Sequence, residues 1–295
     1  MFNLVVIGHI AKDVIIRNGS KTYSIGGPPF YAGVAARKMG GNVGIVSKIG
    51  KDFDDASLAV FKEAGIQTSI MRTEGLTTSF ELAYLPEGRR LKLAARCEPI
   101  LFEDVPGHFL ETESLLISPI AGEISLDFMK KISRNTGSLL GIDAQGFVRK
   151  FDAQGNVYFD TWRESEQILP LVDIVKFSKR EALTAMNCEN IYEAAQKILN
   201  FGSEIVIITL GEEGVLIRGK ENLSLTPKTS QDRVVETTGA GDIFFGVFLL
   251  EYTLTKNVKT SARVATIAAS KSTERKGMSR FITRDQIESD YLNID

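Results

Sequence analysis

Apolar residues in this chain fall into short runs, and these alternate with longer segments in which apolar positions repeat at helical spacing. The runs predict strands at residues 4–7, 14–16, 22–25, 43–47, 66–72, 115–117, 139–142, 172–177, 205–210 and 214–217. The longer segments predict helices at residues 30–39, 56–63, 124–132, 179–186, 191–200, 243–252 and 261–273. Strands that alternate with helices indicate βαβ units. We therefore expect one α/β domain over residues 1–295, with helices on both faces of a mostly parallel sheet.

Two segments in the first third of the chain interrupt this alternation and predict hairpins. Asn18-Gly19 lies between two short strands and is a strong turn signal. Residues 78–96 alternate in polarity around a turn at Pro86-Glu87-Gly88. We expect these hairpins, at about residues 11–25 and 77–97, to form a small sheet that stands off the main body.

The composition excludes several classes of protein. Hydrophobic residues make up 43%, charged residues 24%, and the net charge is -2, so no basic surface for nucleic acid is expected. The apolar N-terminus, followed by Lys12-Asp13, is typical of a first strand rather than a signal peptide, and no apolar run reaches membrane-spanning length. Cys97 and Cys188 lie far apart, which favours a reducing compartment. We expect a cytoplasmic protein that binds neither nucleic acid nor membrane.

The chain has only two histidines, His9 and His108. This scarcity excludes a histidine-rich metal site, and the HExxH motif is absent. If the protein is an enzyme, we expect its general base to be a carboxylate.

The segment 234–246, VVETTGAGDIFFG, places a glycine turn directly before a predicted helix. Backbone N–H groups and the helix dipole make such a turn an anion site, and Gly239 and Gly241 allow a phosphate to approach closely. Asp242 beside a bound phosphoryl group could accept the proton of an attacking hydroxyl. The alternative is that Asp242 only caps the helix. The P-loop and GxGxxG patterns are absent.

The segment ETTGAGD at residues 236–242 resembles the DTTGAGD signature of the ribokinase family, the PfkB-type carbohydrate kinases. Further segments resemble that family's signatures in the same order: residues 7–13 (first strand and substrate aspartate), Gly26-Gly27 (double glycine), 176–181 (KxNxxE), 209–214 (TLGxxG) and 274–277 (adenine-flanking loop). The resemblance implies a ribokinase-like three-layer α/β/α sandwich with a small β-sheet lid. It also implies an ATP- and Mg²⁺-dependent kinase that phosphorylates a hydroxyl of a small sugar, polyol or nucleoside.

The resemblance implies a role for each matching residue. Asp242 would be the base, and Gly239, Ala240 and Gly241 would form the anion hole. Nucleotide binding would involve Lys176, Ser178, Glu181, Thr209, Gly211, Gly214 and Gly277. Glu181 would also help to hold Mg²⁺, through water, while Asp13, Gly26 and Gly27 would hold acceptor hydroxyls. In this family such lids often mediate dimers, so a homodimer through the lid is expected.

Departures from the family pattern concern the acceptor and the ions. Ala11 and Tyr31 stand where sugar-binding asparagines are usual, which disfavours ribose. Phe30 and Tyr31 could form an aromatic wall for a nucleoside base or an inositol, or could simply pack in the core. Glu236 replaces the leading aspartate of the signature, a position that lies near a monovalent cation in some relatives, so the requirement for such a cation stays open here.

The segment 143–149 holds an acid, an amide and an arginine after a predicted strand. Asp143 and Arg149 could contact the acceptor, and Arg149 could favour an anionic one; the alternative is a structural loop. Two further hypotheses stay open at this point, a non-catalytic sensor of sugar or nucleotide and a kinase that uses ADP as donor.

Overall fold

The computed structural model of the protein describes residues 1–17, 20–85, 88–219, 223–226 and 234–291. Its strands are β1 (Leu4–Ile7), β2 (Ala11–Arg17), β3 (Ser20–Gly26), β4 (Val43–Gly50), β5 (Gln67–Thr73), β6 (Ser79–Leu85), β7 (Gly88–Ala95), β8 (Ser114–Ile117), β9 (Leu139–Asp143), β10 (Arg149–Phe151), β11 (Val157–Phe159), β12 (Ile174–Ser178), β13 (Ile205–Thr209), β14 (Val215–Gly219) and β15 (Leu223–Thr226). Its helices are α1 (Pro28–Lys38), α2 (Asp55–Glu63), α3 (Gly107–Leu110), α4 (Leu126–Asn135), α5 (Gln145–Val148), α6 (Ser165–Ile168), α7 (Lys179–Met186), α8 (Ile191–Asn200), α9 (Ala240–Thr255), α10 (Val258–Ser272) and α11 (Arg284–Tyr291).

The main sheet runs in the order β15-β14-β13-β12-β9-β8-β1-β4-β5. From β13 to β5 the strands are parallel, while β14 and β15 add antiparallel partners at one edge. The central strands are buried on both faces, which explains why they appear in the sequence as continuous apolar runs rather than as alternating ones. The carboxyl ends of the parallel strands meet at one edge of the sheet, where ligands bind in open α/β folds.

Helices cover both faces of this sheet and divide the core in two. One cluster joins α1, α9 and α10 to side chains such as Val6 and Ile45. The other joins α4, α7 and α8 to side chains such as Val5 and Ile117. Neighbouring residues of a strand point to opposite faces, so Val5 and Val6 belong to different clusters. Within the described residues, no helix combines the length and the apolar character needed to cross a bilayer.

The two predicted hairpins join in a second, four-stranded sheet of order β3-β2-β6-β7. The outer pairs are antiparallel, and β2 and β6 pair in parallel at its centre. This small sheet carries Asp13 on β2 and a register pair of leucines, Leu82 on β6 and Leu91 on β7. The predicted turn residues Asn18, Gly19, Pro86 and Glu87 lie outside the described residues.

The buried His9 joins the small sheet to the main one. Its Nε2 lies 2.9 Å from the carbonyl oxygen of Glu98 and its Nδ1 lies 2.8 Å from Oγ1 of Thr78. The Glu123 carboxylate accepts the His9 backbone N–H and those of Ile120 and Ala121. Burial lowers the pKa of His9, so the ring stays neutral. This network links the segment that leads into β2, the segment that leads into β6 and the loop after β8.

The structure differs from the predicted elements at two places near the carboxyl edge. The helix predicted at residues 243–252 begins at Ala240, inside the glycine turn. Residues 143–149 do not form a loop, because α5 occupies 145–148 and Arg149 begins β10, which pairs with β11. The apolar core residues Phe147 and Val148 anchor this short helix, which a pattern search misses because it makes only one turn.

Helices α1 and α9 approach each other closely at Gly246. A Cβ atom on Gly246 would lie 2.7 Å from Cβ and 2.8 Å from Cα of Ala32. The contact therefore requires a glycine on α9 and a small residue on α1.

We predict that Gly246→Ala lowers the free energy of unfolding by about 1–3 kcal/mol, because the new methyl group forces the two helices apart. The same change at an unhindered helical position typically stabilises by roughly 0.5–1 kcal/mol. Gly107→Ala is the control, because a Cβ there meets nothing within 4 Å. Urea denaturation measures both. An unchanged unfolding midpoint for Gly246→Ala would contradict the close approach.

Candidate active site

Two cavities open at the carboxyl edge of the main sheet, one on each side of the glycine turn. The first, of about 300 Å³, lies between the loop after β13 and helices α9 and α10, and we call it the α9–α10 cavity. The second, of about 190 Å³, lies between the turn and the small sheet, and we call it the small-sheet cavity. Thr237 and Gly241 line both cavities. A group bound in one cavity therefore meets a group bound in the other at the start of α9.

The glycine turn presents free backbone donors at this meeting point. Gly239 is the residue before α9 and takes a left-handed conformation with φ of 77°, which favours glycine. Among the described residues, the N–H groups of Gly239, Gly241 and Asp242 have no hydrogen-bond acceptor. Ala240 differs from the prediction, because its N–H donates to the carbonyl of Thr237 at 3.2 Å and so closes the turn. Three free N–H groups at a helix start form an anion site.

Asp242 lies in the first turn of α9 and lines the small-sheet cavity. It does not cap the helix, since Gly239 occupies the cap position and no side-chain cap bond is formed. Burial and the neighbouring Asp143 raise its pKa to about 7, although Lys176 and Arg149 act in the opposite sense. Gln145 Nε2 lies 3.5 Å from Oδ1 of Asp242. A carboxylate with this pKa can exchange a proton near neutral pH.

Lys176 and Asp143 form a buried ion pair beneath the turn. Lys176 Nζ donates to Oδ2 of Asp143 at 2.7 Å, and Asp143 Oδ1 accepts the N–H of Gln145. Burial opposes the charge on Lys176, but Asp143, Glu181 and Asp242 outweigh burial and raise its pKa, so the ammonium stays protonated. Nζ faces the turn, 3.2 Å from the point where a Cβ of Gly241 would lie.

The position of Asp143 differs from the predicted one, whereas Lys176 lies at the turn that both cavities share. Asp143 is fully buried and does not line the small-sheet cavity, so it has no surface for direct contact with an acceptor. Lys176, predicted on the nucleotide side, lines the small-sheet cavity. Asp143 instead holds Lys176 in place beside the turn.

Ser178 and Glu181 cap helix α7 reciprocally. The Glu181 carboxylate accepts the Ser178 N–H at 2.7 Å, and the Ser178 hydroxyl accepts the Glu181 N–H at 3.3 Å. Glu181 Oε1 lies 4.0 Å from Nη2 of Arg149, and neither Ser178 nor Glu181 lines the two cavities. No cluster of three potential metal ligands occurs among the described residues. A single buried carboxylate fits a metal that keeps several waters and binds phosphate oxygens, as Mg²⁺ does.

The double glycine lets Asp13 reach the small-sheet cavity. Asp13 lies on β2 and lines this cavity. A Cβ on Gly26 would lie 2.2 Å from Oδ2 of Asp13, so a side chain there would displace the carboxylate. Gly27, with φ of 86°, is the residue before α1 and also lines the cavity. Pro28 and Pro29 then start α1, where the missing N–H groups are not needed.

The predicted nucleotide residues after β13 lie together in the α9–α10 cavity. Thr209, Gly211 and Gly214 line it, and both glycines have positive φ. Gly277 does not line this cavity, although it starts a 3-10 turn after α10 with φ of 58°. The rest of the wall is largely apolar, with Val215 and Phe244 among its members.

One wall of the small-sheet cavity is apolar, and of the two aromatic residues predicted to form such a wall only Tyr31 lines the cavity. Phe30 packs in the core against Phe61 and Phe281. Tyr31 does line the small-sheet cavity, yet its ring lies against Gly239, where a Cβ would be 2.4 Å from Cγ of Tyr31. The apolar wall consists of Phe80, Leu82, Leu91 and Ile120.

The predicted Arg149 and the unpredicted Gln145 both line the small-sheet cavity. Arg149 Nη2 donates to Oε1 of Gln145 at 3.0 Å. In the sequence, Gln145 has no distinct signal beyond its place between Asp143 and Arg149. Arg280, near the C-terminus, reaches the glycine turn and was also not predicted.

Comparison with known proteins identifies the class of this site. The family model of the pfkB family carbohydrate kinases matches residues 1–284, so the chain belongs to this family. The protein is therefore a phosphotransferase with an alcohol group as acceptor. The resemblance to ribokinases seen in the sequence is confirmed.

Individual relatives and structures agree with this identification. The cytidine kinase of Thermococcus kodakarensis is 29% identical over 275 residues, which cover 90% of this chain and 93% of that protein. The inositol 3-kinase of Arabidopsis thaliana is 27% identical over 290 residues, which cover 94% of this chain and 76% of that protein. A pyrophosphate-dependent kinase of the ribokinase family, solved with a pyrophosphate analogue and myo-inositol, superposes with a TM-score of 0.85 at 24% identity, over 97% of this chain and 99% of that one. The expected ribokinase-like fold is thus confirmed.

We predict that Asp242→Asn stabilises the protein at alkaline pH. Because folding raises the pKa of Asp242 from 3.8 to about 7, the ionised side chain disfavours the native state increasingly as pH rises from about 4 to 7, and this cost is complete above that range. The neutral asparagine avoids the cost, so its melting temperature should exceed that of the wild type by roughly 3 °C or more at pH 8 and by much less at pH 4.5.

Differential scanning fluorimetry at both pH values measures this difference. Asp127→Asn is the control, because it makes the same change at an exposed position in the first turn of α4. Equal shifts at pH 4.5 and 8 would contradict the raised pKa.

Proposed function

We propose that the protein transfers the γ-phosphoryl group of ATP to a hydroxyl of a small polyol, sugar or nucleoside, with Asp242 as the general base. The observation that carries this proposal is the position of Asp242, with a pKa of about 7, beside three free N–H groups where two cavities meet. The carboxylate is on the acceptor side, and the N–H groups belong to the turn between the cavities. This arrangement suits an in-line transfer between two bound molecules.

The α9–α10 cavity fits a nucleotide donor. Its apolar side chains, such as Val215 and Phe244, suit the face of an adenine ring, and Gly211 and Gly214 let the backbone approach phosphates. Mg²⁺ would be held chiefly by the phosphates, with Glu181 as an outer ligand through water. The bound ion would neutralise phosphate charge during transfer.

The small-sheet cavity fits an acceptor with one polar and one apolar face. Asp13, Gln145 and Arg149 offer hydrogen bonds to hydroxyls, while Leu82, Leu91 and the neighbouring side chains form the apolar wall. Arg149 is compensated by Gln145 and by the nearby Glu181, which weakens the case for an anionic acceptor. A nucleoside or a cyclic polyol matches these surfaces better than ribose. The 29% identical cytidine kinase favours a nucleoside, and the 27% identical inositol 3-kinase favours a cyclitol.

This geometry supports the following transfer step. An acceptor hydroxyl oriented by Asp13 loses its proton to Asp242 as its oxygen attacks the γ-phosphorus. The bond from phosphorus to the bridging oxygen breaks, and ADP leaves. The N–H groups of Gly239, Gly241 and Asp242, with the protonated Lys176, stabilise the charge on the transferred group.

The small sheet is proposed to act as a lid over the acceptor, since β2, β6 and β7 supply much of the cavity wall. Covering the cavity would exclude water, which otherwise competes with the acceptor for phosphoryl transfer. The single-domain organisation, the homodimer through this sheet and the cytoplasmic location stay predictions.

The proposed reaction predicts turnover of ATP with at least one member of an acceptor panel. The panel contains cytidine, uridine, adenosine, myo-inositol, ribose and fructose, each tested with ATP, ADP or pyrophosphate as donor. Asp242→Asn should lower kcat by about 10³-fold or more while ATP binding by calorimetry changes little. Asp127→Asn again serves as the control.

Three outcomes would contradict the proposal in different ways. Tight binding of one acceptor without turnover would indicate a sensor. Exclusive use of ADP or pyrophosphate would overturn the assignment of ATP as donor. Near-normal kcat for Asp242→Asn would remove this residue from the role of base.

The pH dependence of kcat/KM should report the ionisation of Asp242. The base must be deprotonated, so kcat/KM should fall tenfold per pH unit below about pH 7 and level off above it. Arg149 lowers the pKa of Asp242, so Arg149→Met should move this acid limb to higher pH by roughly half a unit or more. Arg134→Met, on the surface of α4, is the control. An acid limb that stays in place in Arg149→Met would argue against Asp242 as the titrating group.

A further inference from the structure

Arg280 is a buried arginine that contacts the glycine turn from the side of the core. It ends the 3-10 turn Gly277–Arg280 after α10, and it is only 4% exposed. Its Nη2 donates to the carbonyl of Thr238 at 2.6 Å and lies 3.5 Å from the carbonyl of Glu236. Its guanidinium carbon lies 5.1 Å from the centre of the Tyr31 ring.

Other contacts fix the same segment from both sides. The Glu236 carboxylate accepts the Thr238 N–H at 3.1 Å and its hydroxyl at 2.7 Å, and it pairs with Arg17 of β2 at 3.0 Å. The carbonyl of Thr273, at the end of α10, accepts the N–H of Glu236 at 3.0 Å. The backbone just before the anion site is therefore fixed at several points, and Arg280 supplies the hydrogen bond to the peptide unit that joins Thr238 to Gly239.

We propose that Arg280 is a positioning residue, a built-in cation that orients the Gly239 N–H toward the transferred phosphoryl group. In a planar trans peptide, the C=O and the N–H point in opposite directions. Since Arg280 draws the Thr238 carbonyl to one side, the N–H of Gly239, in the same peptide unit, is presented on the other side. That N–H has no acceptor among the described residues. This inference rests on the proposed kinase reaction, in which that N–H stabilises phosphoryl charge.

Tyr31 sets the spacing between the arginine and the turn. Its ring lies against Gly239 on one side and beneath the guanidinium of Arg280 on the other. A Cβ on Gly239 would overlap the ring at 2.4 Å, so the residue at this position must be glycine for the stack to form. Gly239, the Tyr31 ring and the Arg280 guanidinium therefore pack on one another in this order next to the anion site.

The same geometry bears on the question of a monovalent cation. Backbone carbonyl oxygens are ligands that a bound alkali ion takes, and here the carbonyls of Glu236 and Thr238 already face a guanidinium. Arginine carries a permanent charge and cannot dissociate. Turnover should therefore need no added potassium or sodium.

The first measurement is the activity of the wild type with K⁺, Na⁺ or tetramethylammonium as the sole monovalent cation. We expect rates equal within about twofold. Arg280→Ala should lower kcat by about 100-fold, the size seen when one oxyanion donor is lost, with the acceptor KM nearly unchanged. Added guanidinium or K⁺ should restore kcat about tenfold or more, because either cation can fill the space left between the carbonyls.

Arg284→Ala is the matched control, because Arg284 lies four residues later and pairs with the buried Glu251 of α9, away from the turn. It should lower the melting temperature but keep kcat, and guanidinium should have no effect on its rate. Titration with the ATP analogue AMP-PNP gives a readout without turnover, in which Arg280→Ala should bind about tenfold more weakly and Arg284→Ala should bind like the wild type.

Several results would overturn the proposal. These are stimulation of the wild type more than tenfold by K⁺, unchanged kcat and analogue binding in Arg280→Ala, or a loss of kcat that neither cation restores. If Arg280→Ala does not fold, Arg280→Lys, which keeps the charge, is measured in its place. The potassium independence of the wild type then still tests whether Arg280 replaces a bound cation. Absence of turnover in the wild type with every donor and acceptor would instead refute the proposed function.

Discussion

The close contact between α1 and α9 is the constraint on which the site depends. Gly246 allows the two helices to approach at Ala32, and Gly239 allows the Tyr31 ring of α1 to lie against the turn before α9. The first contact fixes the helix axes and the second fixes the turn. Because α1 also follows directly after Gly27, which lines the small-sheet cavity together with Asp13, the same helix places this side of the cavity relative to the start of α9.

Acidic and basic side chains lie next to each other near this turn. Asp242 and Asp143 are acids that would repel each other, and Lys176 lies among them as a protonated counter-ion. Burial and the neighbouring Asp143 raise the pKa of Asp242 by more than Lys176 and Arg149 lower it. The pKa therefore lies near neutrality rather than near 4. A carboxylate with such a pKa is partly ionised at neutral pH and is more basic than an ordinary aspartate, as the proposed role of Asp242 requires.

The order of strands and helices could be predicted from the sequence because buried parallel strands are continuous apolar runs and their connecting helices have clear periodicity. The glycine turn and Asp242 were accessible because the chemistry is local, within seven residues. Arg280 and the leucine pair Leu82 and Leu91 were not, because their roles arise only when distant segments meet. Tyr31 was assigned to the wall of the acceptor cavity, and its packing against Gly239 depends on a helix contact that no local pattern encodes.

The environment of Asp143 illustrates the same limit. Its position after a strand predicted contact with an acceptor, yet its carboxylate is fully buried on Lys176. Whether an acid at a strand end faces a cavity or an internal cation depends on the neighbouring strand β12, which supplies Lys176. Sequence spacing cannot separate these two cases.

The buried ring of His9 has a mechanical consequence for the small sheet. It bonds to Thr78 just before β6 and to Glu98 just after β7, and its own backbone leads into β2. Three of the four crossings between the small sheet and the rest of the fold are therefore tied at one buried, neutral side chain, while the fourth runs from β3 into α1. Because one side chain links the segments that enter β2 and β6 and the segment that leaves β7, a displacement of any one of these segments strains the other two.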